Sequence, residues 1–377
     1  MRERGFEVAI IGGGIVGCAV ADELSRRGCR PLLVLDRGLP GHGASRAALG
    51  GLPPSLEPAP NDQVARLYRR SLDLFPAWTA VLKAETGVDP EFFVSGSLLV
   101  APGPDDLPNL DGRYEWLIKM GWAGQRLTQD DLRRVEPAFA GCLGGLLMPE
   151  DARINNARLL DALVHRLVEA GVTFRTGYAA SLWTQSGTVC GVHFGSDRIA
   201  ARFIVNAAGA GAGEIGGPPL PIFGVRGQAL AVQTARLPSE RMVASPHCYF
   251  VPRKDGSLLL GSTVEPRITE SVVTVDGVHR LLEAGRTLWP ELDRCSFLRA
   301  WAGIRPASAD HVPVIGRWPA LPNLFVAAGF FKMGITLAPL AARTVADLLL
   351  GKANEPILDI LSPARFVRGE RSSSRER

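Results

Sequence analysis

The chain has 377 residues, 46% of them hydrophobic, with a formal net charge of +4. That length exceeds one comfortable hydrophobic core and predicts two domains, while the small, dispersed charge argues against a nucleic-acid partner. No apolar run reaches the roughly 18 residues of a membrane span, and only five residues precede the first strand, too few for a secretory leader; the scattered Cys18, Cys29, Cys142, Cys190, Cys248 and Cys295 have no CxxC or metal spacing and read as reduced thiols of a cytoplasmic protein.

The first element is a continuous apolar run, Val8 to Ile11, as a strand buried on both faces requires. Gly12, Gly14 and Gly17 follow it directly. Val16, Val20 and Leu24 then recur every four residues on one face of a helix, with Gly28 as its stop signal. "PLLVLD" reads as a second buried strand ending in Asp36. The unit is βαβ with the glycine spacing of a dinucleotide turn: Gly12 for the tight bend, Gly14 for close approach of a pyrophosphate, Gly17 for helix–strand packing. Asp36 stands where a carboxylate accepts from a ribose hydroxyl.

The segment 38–51, "GLPGHGASRAALGG", has no periodicity and is either a surface loop or a stretch kept small by a nearby cofactor. Residues 62–84 are helical in pattern, "GSLLVA" is a strand, and "PGPDDLPNLDG" reads as a loop. "TQDDLRRVEPAF" is a Thr-capped turn of helix stopped by Pro137. An amphipathic helix is predicted over 154–170, with Leu159, Leu160, Leu163 and Leu167 on its apolar side, ended by Gly171 before the strand "VTFRTG". "RIAARFIVNAAGAGAG" is a buried strand entering a second glycine-rich turn. "VRGQALAV" and "HCYFVPRKDGSLLLGSTV" are strand patterns, the latter folded at Asp255-Gly256 into a hairpin. "NLFVAAGFFKMGITLAPLAARTVADLLLG" repeats the opening order of strand, glycine turn and long helix. The end, "VRGERSSSRER", has no periodicity and is predicted to be a flexible basic tail.

Alternation along "HCYFVPR" puts His247, Tyr249 and Val251 on one face and Cys248 and Phe250 on the other. Tyr249 is either a core tyrosine or the polar aromatic that orients a small substrate. His247 is a core or rim histidine, or lies on the substrate's path. Arg305 follows an apolar strand and is either a surface residue or a bidentate partner for a carboxylate.

Three long passages, "HCYFVPRKDGSLLLGSTVEP", "RAWAGIRPASADHVPVIGR" and "LFVAAGFFKMGITLAP", resemble the D-amino-acid oxidase superfamily of flavoproteins, specifically its glycine oxidase branch, over residues 6 to 360. The resemblance implies an α/β (α+β) fold, in which an FAD-binding Rossmann-like domain carries an inserted antiparallel-sheet substrate domain. The expected division is 1–80, 140–215 and 306–365 for FAD, 81–139 and 216–305 for substrate, and 366–377 for the tail.

Carried over by position, the resemblance places the pyrophosphate on Gly12, Gly14, Ile15, Val16 and Gly17, and the ribose on Asp36 with Arg37 beside it. It brings Ala44, Ser45, Leu49, Gly50 and Gly51 toward the flavin and reads the adenine edge at Ala180. It wraps the pyrimidine end of the flavin with Gly329, Phe330, Lys332, Met333, Gly334, Ile335 and Thr336. Arg305 becomes the carboxylate anchor with Tyr249, and His247 a lesser contact. Three departures bear on the substrate: Gly51 stands where a glycine oxidase carries Met, which widens the pocket; Gly211 stands where many relatives carry Trp; and Lys332 replaces an Arg, as in sarcosine oxidases. The covalent flavin of sarcosine oxidases needs a Cys near Arg305, and none stands there, so noncovalent FAD is expected. The implied activity is oxidation of glycine or a small D- or N-methyl amino acid, with O₂ reduced to H₂O₂. A dehydrogenase of the same fold passing electrons to a quinone or partner subunit, and a flavoprotein subunit without catalysis, are the alternatives; a homo-oligomer or a heteromer is compatible with either.

Overall fold

A computed structural model describes residues 5–352 and 358–369. The apolar runs form a sheet buried on both faces. Its order is Val314–Trp318, Leu321–Ala328, Asp197–Asn206, Phe6–Ile11, Leu32–Asp36, Thr173–Thr176. Neighbours are parallel except the first pair. Successive residues bury on opposite sides. Val8, Ile10, Leu32 and Val34 join the core beneath the helices Ile15–Arg26, Asn156–Glu169 and Gly334–Leu349. Ala9, Ile11, Leu33 and Leu35 join a second core closed by the hairpin Ala180–Gln185/Thr188–Phe194. The carboxyl ends of these strands, where ligands of such sheets bind, lead into Gly12, Asp36 and Ala207.

A second, mainly antiparallel sheet is built on the ladder between Ile222–Gln233 and Ser296–Ser308. Its remaining strands include Ser97–Ala101, Gly144–Met148, Met242–Ala244, Tyr249–Pro252 and Ser257–Gly261. One face packs Leu230, Val232, Phe250 and Leu260 against the helix Val275–Leu288. The other gathers Ala229, Met242, Val251 and Leu259 around Leu49, toward the first sheet.

Five expectations are corrected. The segment read as a loop at 102–112 becomes a 3₁₀ turn, Pro104–Asp106, and the start of a helix, Leu107–Met120. Pro104 and Pro108 sit in first turns, where a missing N–H costs nothing, and Asp106 accepts from Gly103 N at 3.0 Å. The 62–84 helix is two helices, Asp62–Leu72 and Phe75–Thr86, the second with Pro76 in its first turn. The boundary drawn at 139/140 is too early, because Gly144–Met148 pairs with Ser97–Ala101 in the second sheet; the one at 80/81 cuts a helix whose Leu82 is in the first core. The tail begins later than residue 366: Ala364–Gly369 is a helix, with Arg365 on Asp310 at 2.8 Å and Phe366 against the core. Residues 370–377 lie outside the described residues.

One buried acid sets a pH dependence. Asp151 is fully buried, accepting from Ser97 Oγ at 2.5 Å and Ser55 N at 3.2 Å. Burial pushes its carboxyl up to about 6, against the two serines and Arg69. Its folded pKa lies above the unfolded one, so the penalty for ionising it is absent below about pH 4 and grows as pH rises through 6. Asp151→Asn keeps an acceptor for Ser55 and a donor for Ser97. It is expected to raise the melting temperature at pH 8, with at most about 3 kcal/mol to gain, and to lose that advantage near pH 4. A gain equal at both pH values, in thermal melts, contradicts this account.

Candidate active site

A cavity of about 780 Å³ runs between the two sheets. At one end lies the glycine turn. Gly12 has φ +109°, and a Cβ on it would meet Ala207 O at 2.2 Å; a Cβ on Gly17 would meet Gly12 O at 1.9 Å. Gly14 differs, since a Cβ there would meet only Ser45 Oγ, at 3.3 Å. Gly12, Gly14, Ile15 and Val16 line the cavity; Gly17 packs helix on turn behind them. Asp36 and Arg37 line it as well. Asp36 also braces the turn, accepting from Gly13 N at 2.7 Å and Gly38 N at 2.8 Å.

The 38–51 segment lies against this cavity, as the second of its two readings requires. Ala44, Ser45, Leu49, Gly50 and Gly51 line it. Ser45 Oγ accepts from Ile15 N at 3.0 Å, satisfying one of the open donors at the helix start. Asn156 Nδ2 holds Ser45 O and Arg46 O at 2.8 and 3.1 Å, and Arg253 donates to Leu49 O, Ile154 O and Asn156 Oδ1. From the other sheet, Trp301 Nε1 donates to Ala47 O at 2.8 Å, and the absent side chain of Gly303 leaves room for Ala47, whose Cβ is 2.4 Å from where a Cβ would stand. The widening expected at Gly51 is offset by Met242, whose Sδ lies 2.6 Å from a Cβ built there. Ala180 and Gly211 also line the wall.

The turn before the last long helix supplies another wall: Phe330, Phe331, Lys332, Met333, Gly334 and Ile335. Gly329 and Thr336 do not reach the cavity. Gly329 has φ +73° and lies against Ile222 and Ser308, and Thr336 is buried within the helix. Phe331 N donates to Pro306 O at 2.7 Å, and Ala307 bridges Phe330, so this turn is bonded to the strand carrying Arg305.

At the far end are Tyr249, Arg305 and Lys332, with exposed His247 at the edge. The alternation expected across Tyr249–Val251 and Cys248–Phe250 holds: the first pair packs with Leu49 and Met242, the second with the opposite core. His247 precedes the strand rather than belonging to it. Arg305 lies across Gly227, where a Cβ would strike its guanidinium at 2.2 Å. It donates to Ser262 Oγ at 2.5 Å, Thr263 O at 3.1 Å and Arg226 O at 3.4 Å, with no carboxylate partner among the described residues. Burial raises the Tyr249 hydroxyl above its ordinary pKa, with Arg305 and Ser262 opposing, so it remains a donor at neutral pH.

Lys332 Nζ pairs with Glu57 Oε1 at 2.8 Å. Glu57 and Arg113 line the cavity and were not foreseen. An acid inside the apolar, proline-rich "PPSLEPAP" was the available signal for the first; Arg113 was hidden by reading its helix as a loop.

These residues fit an extended dinucleotide cofactor. The glycine turn offers backbone that is bare of side chains beside a helix N-terminus, the 44–51 segment is pinned by four hydrogen bonds from three side chains, and a cation-bearing pocket lies beyond.

The family described as FAD dependent oxidoreductase matches residues 7–348. A glycine oxidase of Geobacillus kaustophilus is 31% identical over 352 residues, covering 91% of this chain and 93% of that protein. The bifunctional protein ThiO/ThiG of Trichormus variabilis is 32% identical over 366 residues; the chain spans 55% of its length. The crystal structure of the Geobacillus kaustophilus glycine oxidase superposes with a TM-score of 0.89 at 29% identity, covering 95% of this chain and 98% of that one.

Proposed function

Because the chain belongs to the FAD-dependent oxidoreductase family, we propose that it oxidises the amine of glycine or of a small D- or N-methyl amino acid to the imine, with O₂ as electron acceptor. The observation that carries this reading is Arg305: a guanidinium in the cavity wall, beside Tyr249, that no carboxylate among the described residues neutralises.

Bound FAD supplies the two-electron acceptor for the amine carbon. Gly12, Gly14, Ile15 and Val16 would hold its pyrophosphate, Asp36 its ribose, and the 44–51 and 330–335 segments its ring system. The chain's own work is to bind and orient. Arg305, fixed by Ser262 and two carbonyls, presents its remaining donors to the substrate carboxylate, and Tyr249 adds a hydroxyl donor. Anchored so, the amino acid has one reacting carbon turned toward the cofactor end. The imine then hydrolyses to an oxo acid and ammonia, or to a primary amine from an N-methyl substrate. The flavin is expected to be noncovalent: Cys248, the cysteine of the cavity wall, is buried with its thiol pushed up to about 12, so it is not a thiolate at neutral pH.

Purified protein is expected to be yellow, to release FAD on acid precipitation, and to lose its colour anaerobically on addition of glycine, sarcosine or a small D-amino acid. Air should restore the colour with one H₂O₂ formed per turnover. Bleaching without peroxide would move the acceptor to a quinone or partner protein. An unbleached flavin across the series would remove the amino-acid assignment.

A further inference from the structure

The charges at the substrate end do not balance. Besides Tyr249 and His247 at the edge, the ionisable groups there are Arg305, Lys332, Glu57 and Arg113. Lys332 and Glu57 neutralise each other at 2.8 Å. Arg305 awaits the α-carboxylate. That leaves Arg113, on the helix Leu107–Met120, which comes to the cavity together with Asn109, one turn before it on the same face. Its guanidinium lies over the Trp116 ring, 5.0 Å from the centroid, and makes no hydrogen bond or ion pair among the described residues. A ring face engages none of its five N–H donors. Leu110 and Leu117 of the same helix pack in the apolar cluster that Tyr249 and Leu56, the neighbour of Glu57, also join, which places Arg113 at the substrate end. The guanidinium is partly buried, which depresses its pKa with Glu57 and Asp151 only partly opposing, and it has no counter-ion among the described residues.

We propose that Arg113 is a second anion site and that the preferred substrate is an amino acid bearing a second acidic group, its α-carboxylate on Arg305 and its distal acid on Arg113. This rests on the amino-acid oxidation reading above. One unneutralised guanidinium would suit glycine; two unneutralised guanidinium groups with one neutralised pair suit a dianion. The reaction itself is unchanged: two electrons pass from the amine carbon to FAD and on to O₂, and the distal acid takes no part in bond making.

The test uses FAD-loaded protein and pairs of substrates that differ only in charge. In anaerobic stopped-flow reduction, D-aspartate against D-asparagine, and D-glutamate against D-glutamine, one acid is expected to exceed its amide at least tenfold in second-order rate. Arg113→Gln should bring that ratio to near one, and Arg113→Glu should invert it; the ratio within each variant cancels general losses. Acids equal to or poorer than their amides in the wild-type protein overturn the proposal, even if no variant folds. So does a ratio unchanged by Arg113→Gln. Inert succinate and butyrate, titrated against the flavin spectrum, separate the two readings. Succinate binding at least tenfold tighter through Arg113, with no amino acid reducing the flavin, upholds the anion site and refutes the oxidation. Equal binding of the two, with glycine turned over, refutes only the anion site.

Discussion

Gly14→Val is expected to give folded protein without colour, whereas Gly17→Ala is expected to cost both colour and stability. The two glycines look alike in the motif but answer to different neighbours. A Cβ on Gly17 would lie 1.9 Å from Gly12 O, so helix and turn must separate. Overpacking of this kind costs about 1–3 kcal/mol, and against main chain the upper end applies. A Cβ on Gly14 meets only a serine hydroxyl at 3.3 Å, so the protein itself tolerates it. What it intrudes on is the pyrophosphate, and the same penalty there weakens FAD by roughly ten- to a hundredfold. Flavin content from the 450 nm to 280 nm absorbance ratio, together with melting of the apoprotein, distinguishes the cases. Full flavin occupancy in Gly14→Val would mean that the cofactor does not lie on this turn.

Arg305→Ala is expected to lower kcat/KM about ten- to a hundredfold, since a charged hydrogen bond contributes about 1.5–3 kcal/mol, with flavin content unchanged. Arg305→Lys should recover only part of it. A lysine has no planar fork with which to hold Ser262, the Thr263 carbonyl and a substrate carboxylate together. Lys332→Ala is expected to be milder for a different reason: it frees Glu57, whose charge then opposes the incoming carboxylate, so KM rises more than kcat falls. If Arg305→Ala turned over amino acids normally while Lys332→Ala could not, the anchor would be Lys332, as in the sarcosine oxidase arrangement.

The opening βαβ unit was legible because its signals are local: an apolar strand, glycines in a fixed order, a four-residue period and a terminal acid lie within thirty residues. The positions that the resemblance assigns to the cofactor all line the cavity except Gly17, Gly329 and Thr336. Gly17 packs helix on turn, as its place in the motif predicted, and Gly329 is likewise small to let protein pass protein: a motif reports which residues a site needs but not which face they serve. Glu57 and Arg113 escaped for the opposite reason. Their meaning arises from tertiary charge balance between segments over fifty residues apart, which no local period encodes. The prolines of 104 and 108 compounded the loss, because a helix's first turn and a loop have the same composition.

The contact of Ala47 with Trp301 and Gly303 limits how this site can be altered by recombination. One partner belongs to the 44–51 segment that lines the cavity, the other to the strand that carries Arg305, and they stand 254 residues apart in sequence. A loop from another oxidase with a larger residue at 47 would arrive at a strand with no space for it, as would a strand with a side chain at 303. New substrate preference is therefore best sought in chimeras that exchange both segments at once. Libraries that shuffle them independently will be dominated by combinations that never assemble a pocket.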